Sequence, residues 1–442
     1  MIGRVTSGVR PLLPAGPATL VRGTARREPT VRRATGLRRD RHAPDHTILV
    51  AVVALAAVGI LMVYSSSGIK GYLAVGDTFA YVGPQIVWAV VGIVAMILMS
   101  QLDYRYLRLV SVPAFIVAVV LLIIVLLPPM GPIVPRVFGG SARWLQIGPL
   151  PAVHPAEVAK LALVLLLAHW FARQGTRIRS FRWGTLPFLL VVGPVVFLIF
   201  KEPDLGTTTV VAATAVTLFF VAGANIVHLI ALAAMAGSAL LVVGLRGYQL
   251  ARIQAWLDPW SDPLGTGFHT IQGLLALGLG GVVGAGLGES RSAAGLYLPQ
   301  AWNDFIFAII GEEFGFIGAG LVILLFLVIA FQGTRVAMAA PDTFGALLAA
   351  GITAWFCIQA FINIGVVVAL FPVTGITLPF ISAGGSSLVV SFAAAGILLS
   401  VSRETVEGAW KDAPADRGRR DGRAHLPGSR RGPVAPRPAG RA

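Results

Sequence analysis

The sequence predicts an all-α polytopic membrane protein of about ten transmembrane helices, with a large extracytoplasmic loop between the seventh and the eighth. Three observations predict it. Of 442 residues, 56% are hydrophobic and 12% charged, and mean hydropathy is +0.80, where a soluble domain carries about 25% charged residues. Apolar runs of about 18 residues, long enough to span a bilayer as helix, recur along the chain. The net charge of +15 is gathered largely at the two ends.

The apolar runs lie near 48–64, 81–100, 107–127, 156–172, 186–200, 207–222, 226–245, 305–331, 345–370 and 386–401. The fifth and sixth are short, consistent with a broken or tilted pair. The first follows a long arginine-rich leader with no clear cleavage site, so it reads as a retained helix. Residues 1–46 and 404–442 are rich in Arg, Pro, Gly and Ala and poor in aromatics. They are expected to be disordered basic tails flanking a spanning domain at 47–403. Such arms suit anionic lipid or a protein partner better than nucleic acid. An even number of crossings, about ten, leaves both tails on one side, and the positive-inside rule makes that side the cytoplasm. Arg105, Arg108, Arg173, Arg177, Arg179, Arg182 and Arg335 fall on the same side. The segments 128–153, 257–303 and 371–385 then face outward.

The outward segment after residue 257 is too long to be a bare connector, since structureless loops beyond roughly 12–15 residues are functional or disordered. Its aliphatic and aromatic content argues against disorder. From 257 to 318 it carries Asp258, Asp262, Glu289, Asp304, Glu312 and Glu313 among glycines and apolar residues. Ionisable groups at bilayer depth are functional candidates by default, and four clusters qualify. In the first, Arg143 and Trp144 precede His154, Pro155, Glu157 and Lys160; Pro155 suits a first helical turn, and Glu157 and Lys160 share a helical face. They form either a structural ion pair or the charged wall of a substrate cavity. In the second, Lys201-Glu202-Pro203-Asp204 separates two apolar runs. Asp204 is placed to cap a helix, and Lys201 to meet a phosphate at the outer surface. In the third, Asp258 and Asp262 each precede a proline in a rigid turn; one can serve the turn and the other a general base. In the fourth, 370–387, proline, glycine and hydroxyl residues replace apolar ones before the last run. Irregular backbone at that depth must be buried or line a wet cavity, and the amides of Gly384 and Gly385 at a helix start suit a phosphate.

The single cysteine, Cys357, permits no intramolecular disulfide and no cysteine metal site. The histidines are scattered, and no HExxH, Walker, dinucleotide or GxSxG motif occurs, which argues against ATPase, redox and serine-hydrolase chemistry.

Together the clusters resemble the SEDS family (shape, elongation, division and sporulation) of peptidoglycan glycosyltransferases over about 48–403. The matching pieces are ARWLQIG with HPAEVAK, PDLGT, LDPWSDPLGTGFHTIQ, GLGGVVGAGLG, YLPQAWNDFIFAIIGEEFGFIG and NIGVVVALFPVTGITLPFISAGGSSL. The last two favour the FtsW-like division branch over the RodA-like elongation branch. The chain departs from the family at His154, usually Gln, at Phe268 and Ala383, usually Tyr, and at Trp302-Asn303, usually His-Thr or a similar pair.

The resemblance implies an enzyme that polymerises lipid II, a disaccharide-pentapeptide on undecaprenyl diphosphate, by an inverting step during septal wall synthesis. It implies Asp262 as the base. Arg143, Lys160, Lys201 and Arg252 are then candidate neighbours of the diphosphate, with Glu157, Asp204, Gly384, Gly385 and Ser386 as further substrate contacts. A divalent cation, Mg or Mn, at the diphosphate is expected, with no protein ligands fixed by the sequence and no organic cofactor. A class B penicillin-binding protein and other division proteins are the implied partners. The competing readings are a lipid II flippase, an elongation-type polymerase and a non-catalytic division scaffold.

Overall fold

The computed structural model describes residues 43–129, 133–138, 141–148, 151–243, 248–294, 297–299 and 301–404. The expected tails fall outside the described residues, apart from 43–46 and 404. The first seven helices are α1 (His46–Val75), α2 (Val82–Gln101), α3 (Leu107–Leu126), α4 (Pro155–Gln174), α5 (Leu186–Lys201), α6 (Leu205–Val221) and α7 (Ile226–Val243). Next come α8 (Tyr248–Leu257), α9 (Phe268–Gly280) and α10 (Arg291–Ala294), then α11 (Ile306–Ala339), α12 (Thr343–Val367) and α13 (Gly385–Ser402). Each expected apolar segment coincides with a helix. Eight helical stretches among the described residues are long and apolar enough to cross a bilayer; α6 and the Ile226–Met235 part of α7 are shorter apolar stretches by the same measure.

Burial sorts the helices into centre and rim. In α13, 78% of the spanning window is buried inside the protein, against 22% in the stretch containing α3. Glycine permits the tightest approach: a Cβ at Gly92 of α2 would lie 2.4 Å from the Phe392 ring of α13. The rim helices α2, α3 and α5 expose large aliphatic side chains such as Val90, Leu109 and Leu190, as lipid-facing helices do.

One end of the bundle is pinned by polar side chains. Asp45 caps α1, accepting from the amide of Thr47 at 2.8 Å, and its own amide donates to Ser402 Oγ at 3.1 Å. Asp342 caps α12 through the Gly345 amide at 3.0 Å. It also takes Arg108 Nη2 at 2.8 Å and the Tyr104 hydroxyl at 2.6 Å. Arg105 pairs with Glu404. The start of α1 and the end of α13 therefore share an end.

The all-α expectation is incomplete in two places. Residues 128–153 contain a hairpin of β1 (Ile133–Phe138) and β2 (Ser141–Ile147), antiparallel with Arg136 opposite Trp144. An isolated hairpin is marginal in water. Here Leu145 is buried and exchanges backbone hydrogen bonds with Val153 at 2.8 and 2.9 Å, which ties the hairpin to the start of α4. The second place is the long outer segment, which folds back on α11. Gly315 breaks α11 with φ +64, and 281–286 pairs with the backbone freed by that break. Ala285 and Gly286 donate to Glu312 and Glu313 carbonyls at 2.9 and 3.0 Å, while the Phe316 amide donates to Gly281 at 2.9 Å. Backbone at membrane depth must find such partners inside the protein.

Candidate active site

At the end of the bundle opposite the Asp45, Asp342 and Glu404 contacts, the hairpin, the starts of α4 and α6, α8, the DPLGTG turn and 373–387 surround a cavity of about 740 Å³. Arg143, Glu157, Asp204, Arg252, Asp262 and Gly384, all named from sequence, line it.

Arg143 enters on β2. Its Nε donates to the Glu202 carbonyl at 3.2 Å and its Nη2 to the Pro203 carbonyl. Two backbone acceptors thus fix the guanidinium at the cavity wall. Asp204 serves the helix and the cavity together: it caps α6, accepting from the Thr207 amide at 3.0 Å and hydroxyl at 2.9 Å. His154 Nε2 lies 3.7 Å from Asp204 Oδ2. Burial pushes the imidazole below its ordinary range, against the pull of Asp204 and Glu157, which favours the neutral ring. Its ring also meets Trp144 edge-on at 5.2 Å.

Glu157 and Lys160 form a buried ion pair at 2.8 Å. Lys160 also donates to Gln359 Oε1 at 2.7 Å, and Gln359 Nε2 donates to the Thr377 carbonyl at 2.8 Å. The pair therefore ties α4 to α12 and to the irregular segment before α13, with Glu157 at the cavity and Lys160 behind it.

The Asp262 turn explains its glycines. Asp262 Oδ2 accepts from the Thr266 amide at 2.8 Å and hydroxyl at 3.2 Å. A Cβ at Gly265 would sit 2.2 Å from that oxygen, and one at Gly267 would sit 1.9 Å from the Pro259 carbonyl oxygen. The Thr266 amide holds the carboxyl below the usual carboxylate range. Asp258 accepts from the Trp260 amide at 3.2 Å and does not line the cavity, which agrees with a turn role.

Besides Lys160, three expected contacts sit elsewhere. Lys201 is exposed at the end of α5, its ammonium 5.4 Å from the Phe197 ring centroid, and does not line the cavity. Gly385 packs against Trp88, where a Cβ would meet the indole nitrogen at 2.4 Å. Ser386 turns away to accept from the His154 amide at 3.1 Å. The Gly384 amide donates to Gln85 Oε1 at 3.2 Å, so it is not free for an anion. Ser387 is the serine that lines the cavity.

Asp304 lines the cavity too, and sequence reasoning had counted it without giving it a role. Asn363 Nδ2 fixes its backbone by donating to the Asp304 carbonyl at 2.9 Å. Burial, then Asp204, pushes its carboxyl up to about 7, with Arg143 and Arg252 opposing. Glu202 was likewise passed over. It is fully buried beside Asp204, and burial pushes it up to about 9. The available signal was an acid set between two apolar runs.

These features define a multi-pass helical membrane protein with an arginine- and carboxylate-lined cavity at one end. The chain belongs to the cell cycle protein family of FtsW, RodA and SpoVE, whose profile matches residues 45–407. It is similar to the stage V sporulation protein E of Bacillus subtilis, 42% identical over 82% of this chain and 97% of that protein. It is also similar to the probable peptidoglycan glycosyltransferase FtsW of Trichlorobacter lovleyi, 39% identical over 81% of this chain and 93% of that protein. Among solved structures, a chain of a peptidoglycan synthase complex that coordinates polymerization and crosslinking matches with TM-score 0.66 at 30% identity. That match covers 82% of this chain and 98% of the other. The rod shape determining protein RodA of Thermus thermophilus matches with TM-score 0.60 at 27% identity, over 83% and 98%. Identity to these sporulation and FtsW relatives, 42 and 39%, exceeds the 27% to RodA.

Proposed function

We propose that this chain is a peptidoglycan glycosyltransferase that polymerises lipid II by an inverting displacement at the outer membrane face, serving septal wall synthesis. The observation that carries this reading is the convergence of Asp262, Arg143 and Arg252 on one cavity of about 740 Å³. A 4-hydroxyl of the acceptor sugar attacks the anomeric carbon of the donor. The new C–O bond forms as the bond to the lipid diphosphate breaks, and one displacement converts the α linkage to β. Asp262 takes the hydroxyl proton. Its Oδ2 is held by Thr266, which fixes the carboxylate in place. Arg143 and Arg252 face the charge that develops on the diphosphate, and guanidinium suits phosphate oxygens bidentately. Lys160 acts through Glu157 rather than on the substrate.

Among the described residues no group of three His, Cys, Asp or Glu can hold a metal ion. A Mg or Mn ion, if used, comes with the diphosphate as part of the substrate. Likeness to a chain of a peptidoglycan synthase complex supports a class B penicillin-binding protein as partner, and the positive-inside rule supports cytoplasmic termini.

Purified chain given lipid II in detergent tests the reading, with and without that partner. Glycan strands are expected, at least with the partner present. Translocation has no meaning in detergent, so a flippase or a scaffold gives no strands in either case, and that result would contradict the proposal.

A further inference from the structure

At the opposite ends of α4, α6 and α12 from the carboxylate cavity lies a second cavity of about 660 Å³. Its floor is one face of α12 from Thr343 through Ala350 to Cys357. Those ends differ by 14 residues, or about 21 Å of helix. The hydrocarbon of one leaflet is about 15 Å deep, so the groove runs through a leaflet rather than indenting its surface. The lining is mostly alanine and larger apolar side chains, with Arg179 and Thr176 at the end where α4 finishes. Among the described residues no acidic one lines it to neutralise Arg179.

We infer that this groove is a lipid site, taking one acyl chain of an anionic phospholipid along α12 and its phosphate at Arg179. Three observations select that occupant. The length suits a single chain lying in one leaflet. The mouth is cationic, and basic pockets between helices on the cytoplasmic side attract anionic headgroups. The two long segments that join the described residues at that end, 1–42 and 405–442, are both rich in arginine, so their charge does not complement that mouth. The inference does not depend on the proposed reaction, whose cavity is at the other end.

Cys357 is the only cysteine in the chain and lines the groove's inner end, so the native protein carries its own probe. The full chain is placed in nanodiscs of phosphatidylcholine alone or of phosphatidylcholine with phosphatidylglycerol, and alkylation of Cys357 by N-ethylmaleimide is timed. Phosphatidylglycerol is expected to slow the reaction and to stay bound in native mass spectrometry. Arg179→Gln is expected to need about five-fold more phosphatidylglycerol for the same protection, the effect of one basic residue near an anionic surface. Ala350→Phe is expected to exclude the lipid; if that variant does not fold, the wild-type and Arg179→Gln rates decide alone. Equal rates in the two nanodiscs, protection that survives Arg179→Gln unchanged, or protection by glycerophosphate without a chain would each overturn the site.

Discussion

Asp262 and Asp304 face the same cavity under opposite electrostatic conditions. Asp262 is exposed and its carboxylate is stabilised by the Thr266 amide. Asp304 is crowded by protein and by Asp204, which holds it near neutral pH at about 7. Above that pH Asp304 adds a negative charge to the cavity proposed to accept the diphosphate. Apparent affinity for lipid II should therefore fall as pH rises through about 7, and Asp304→Asn should flatten that limb. A KM that stays level across the range in the wild-type protein would rule this out. Stability should move in the same direction. The folded pKa exceeds the unfolded value of 3.8, so the stabilisation is complete below that value and is lost as pH rises through about 7. The buried Glu157–Lys160 pair makes a second prediction. Removing one member leaves a buried charge, at a cost of about 3–5 kcal/mol. Glu157→Ala and Lys160→Ala should each lower the thermal midpoint in detergent; unchanged midpoints for both would show that the pair carries no such load. Much of this site was legible because Arg143, Glu157, Asp204, Arg252 and Asp262 are ionisable residues at the edges of apolar runs. Lys201 was misplaced because helical phase at the end of α5 turns it outward, and sequence spacing alone does not set that phase. Asp304 was undervalued because its environment comes from Asp204, Arg143 and Asn363, all distant in the chain.

Among the elements, the interlock between 281–286 and α11 has the clearest consequence. Gly315 sits at φ +64, and a Cβ there would approach the Gly284 amide nitrogen at 2.5 Å. Gly315→Ala should cost about 1–3 kcal/mol in backbone strain alone, and more if the paired segment is expelled. Gly320, on the same helix with open space around it, is the control. A protease nick between 281 and 290 that appears in Gly315→Ala and not in Gly320→Ala would be the expected signature. Equal resistance and equal thermal midpoints would refute the interlock. The spanning helices were readable because length and apolarity suffice to define them. The outer segment was readable only as a structured loop. Phe268–Gly280 is too short and too glycine-rich to announce a helix that re-enters the protein, and its partner is a break in a helix begun 26 residues after it ends. The hairpin at 133–147 was missed for a related reason: its support comes from Leu145 pairing with Val153, not from its own alternation.

For the molecule as a whole, the two ends of the bundle do different work. One end is closed by Asp45, Asp342, Arg105, Arg108 and Glu404, and the other is opened by the cavity. The positive-inside rule assigns the closed end to the cytoplasm. Leu264, in the DPLGTG turn, is exposed and reports sidedness. Leu264→Cys in a Cys357→Ser background should react with an impermeant thiol reagent in intact cells stripped of outer layers; labelling only after lysis would reverse the orientation. Asp262 is proposed to supply the base in this cavity. Its most direct test is the rate of lipid II polymerisation by Asp262→Asn beside Asp258→Asn in detergent, with partner binding and thermal midpoint measured on the same samples. General base catalysis is worth about 10²–10⁴-fold. The account predicts a loss of that size for Asp262→Asn, a smaller one for Asp258→Asn, and folded, partner-competent protein in both. Polymerisation by Asp262→Asn at close to the wild-type rate would contradict it.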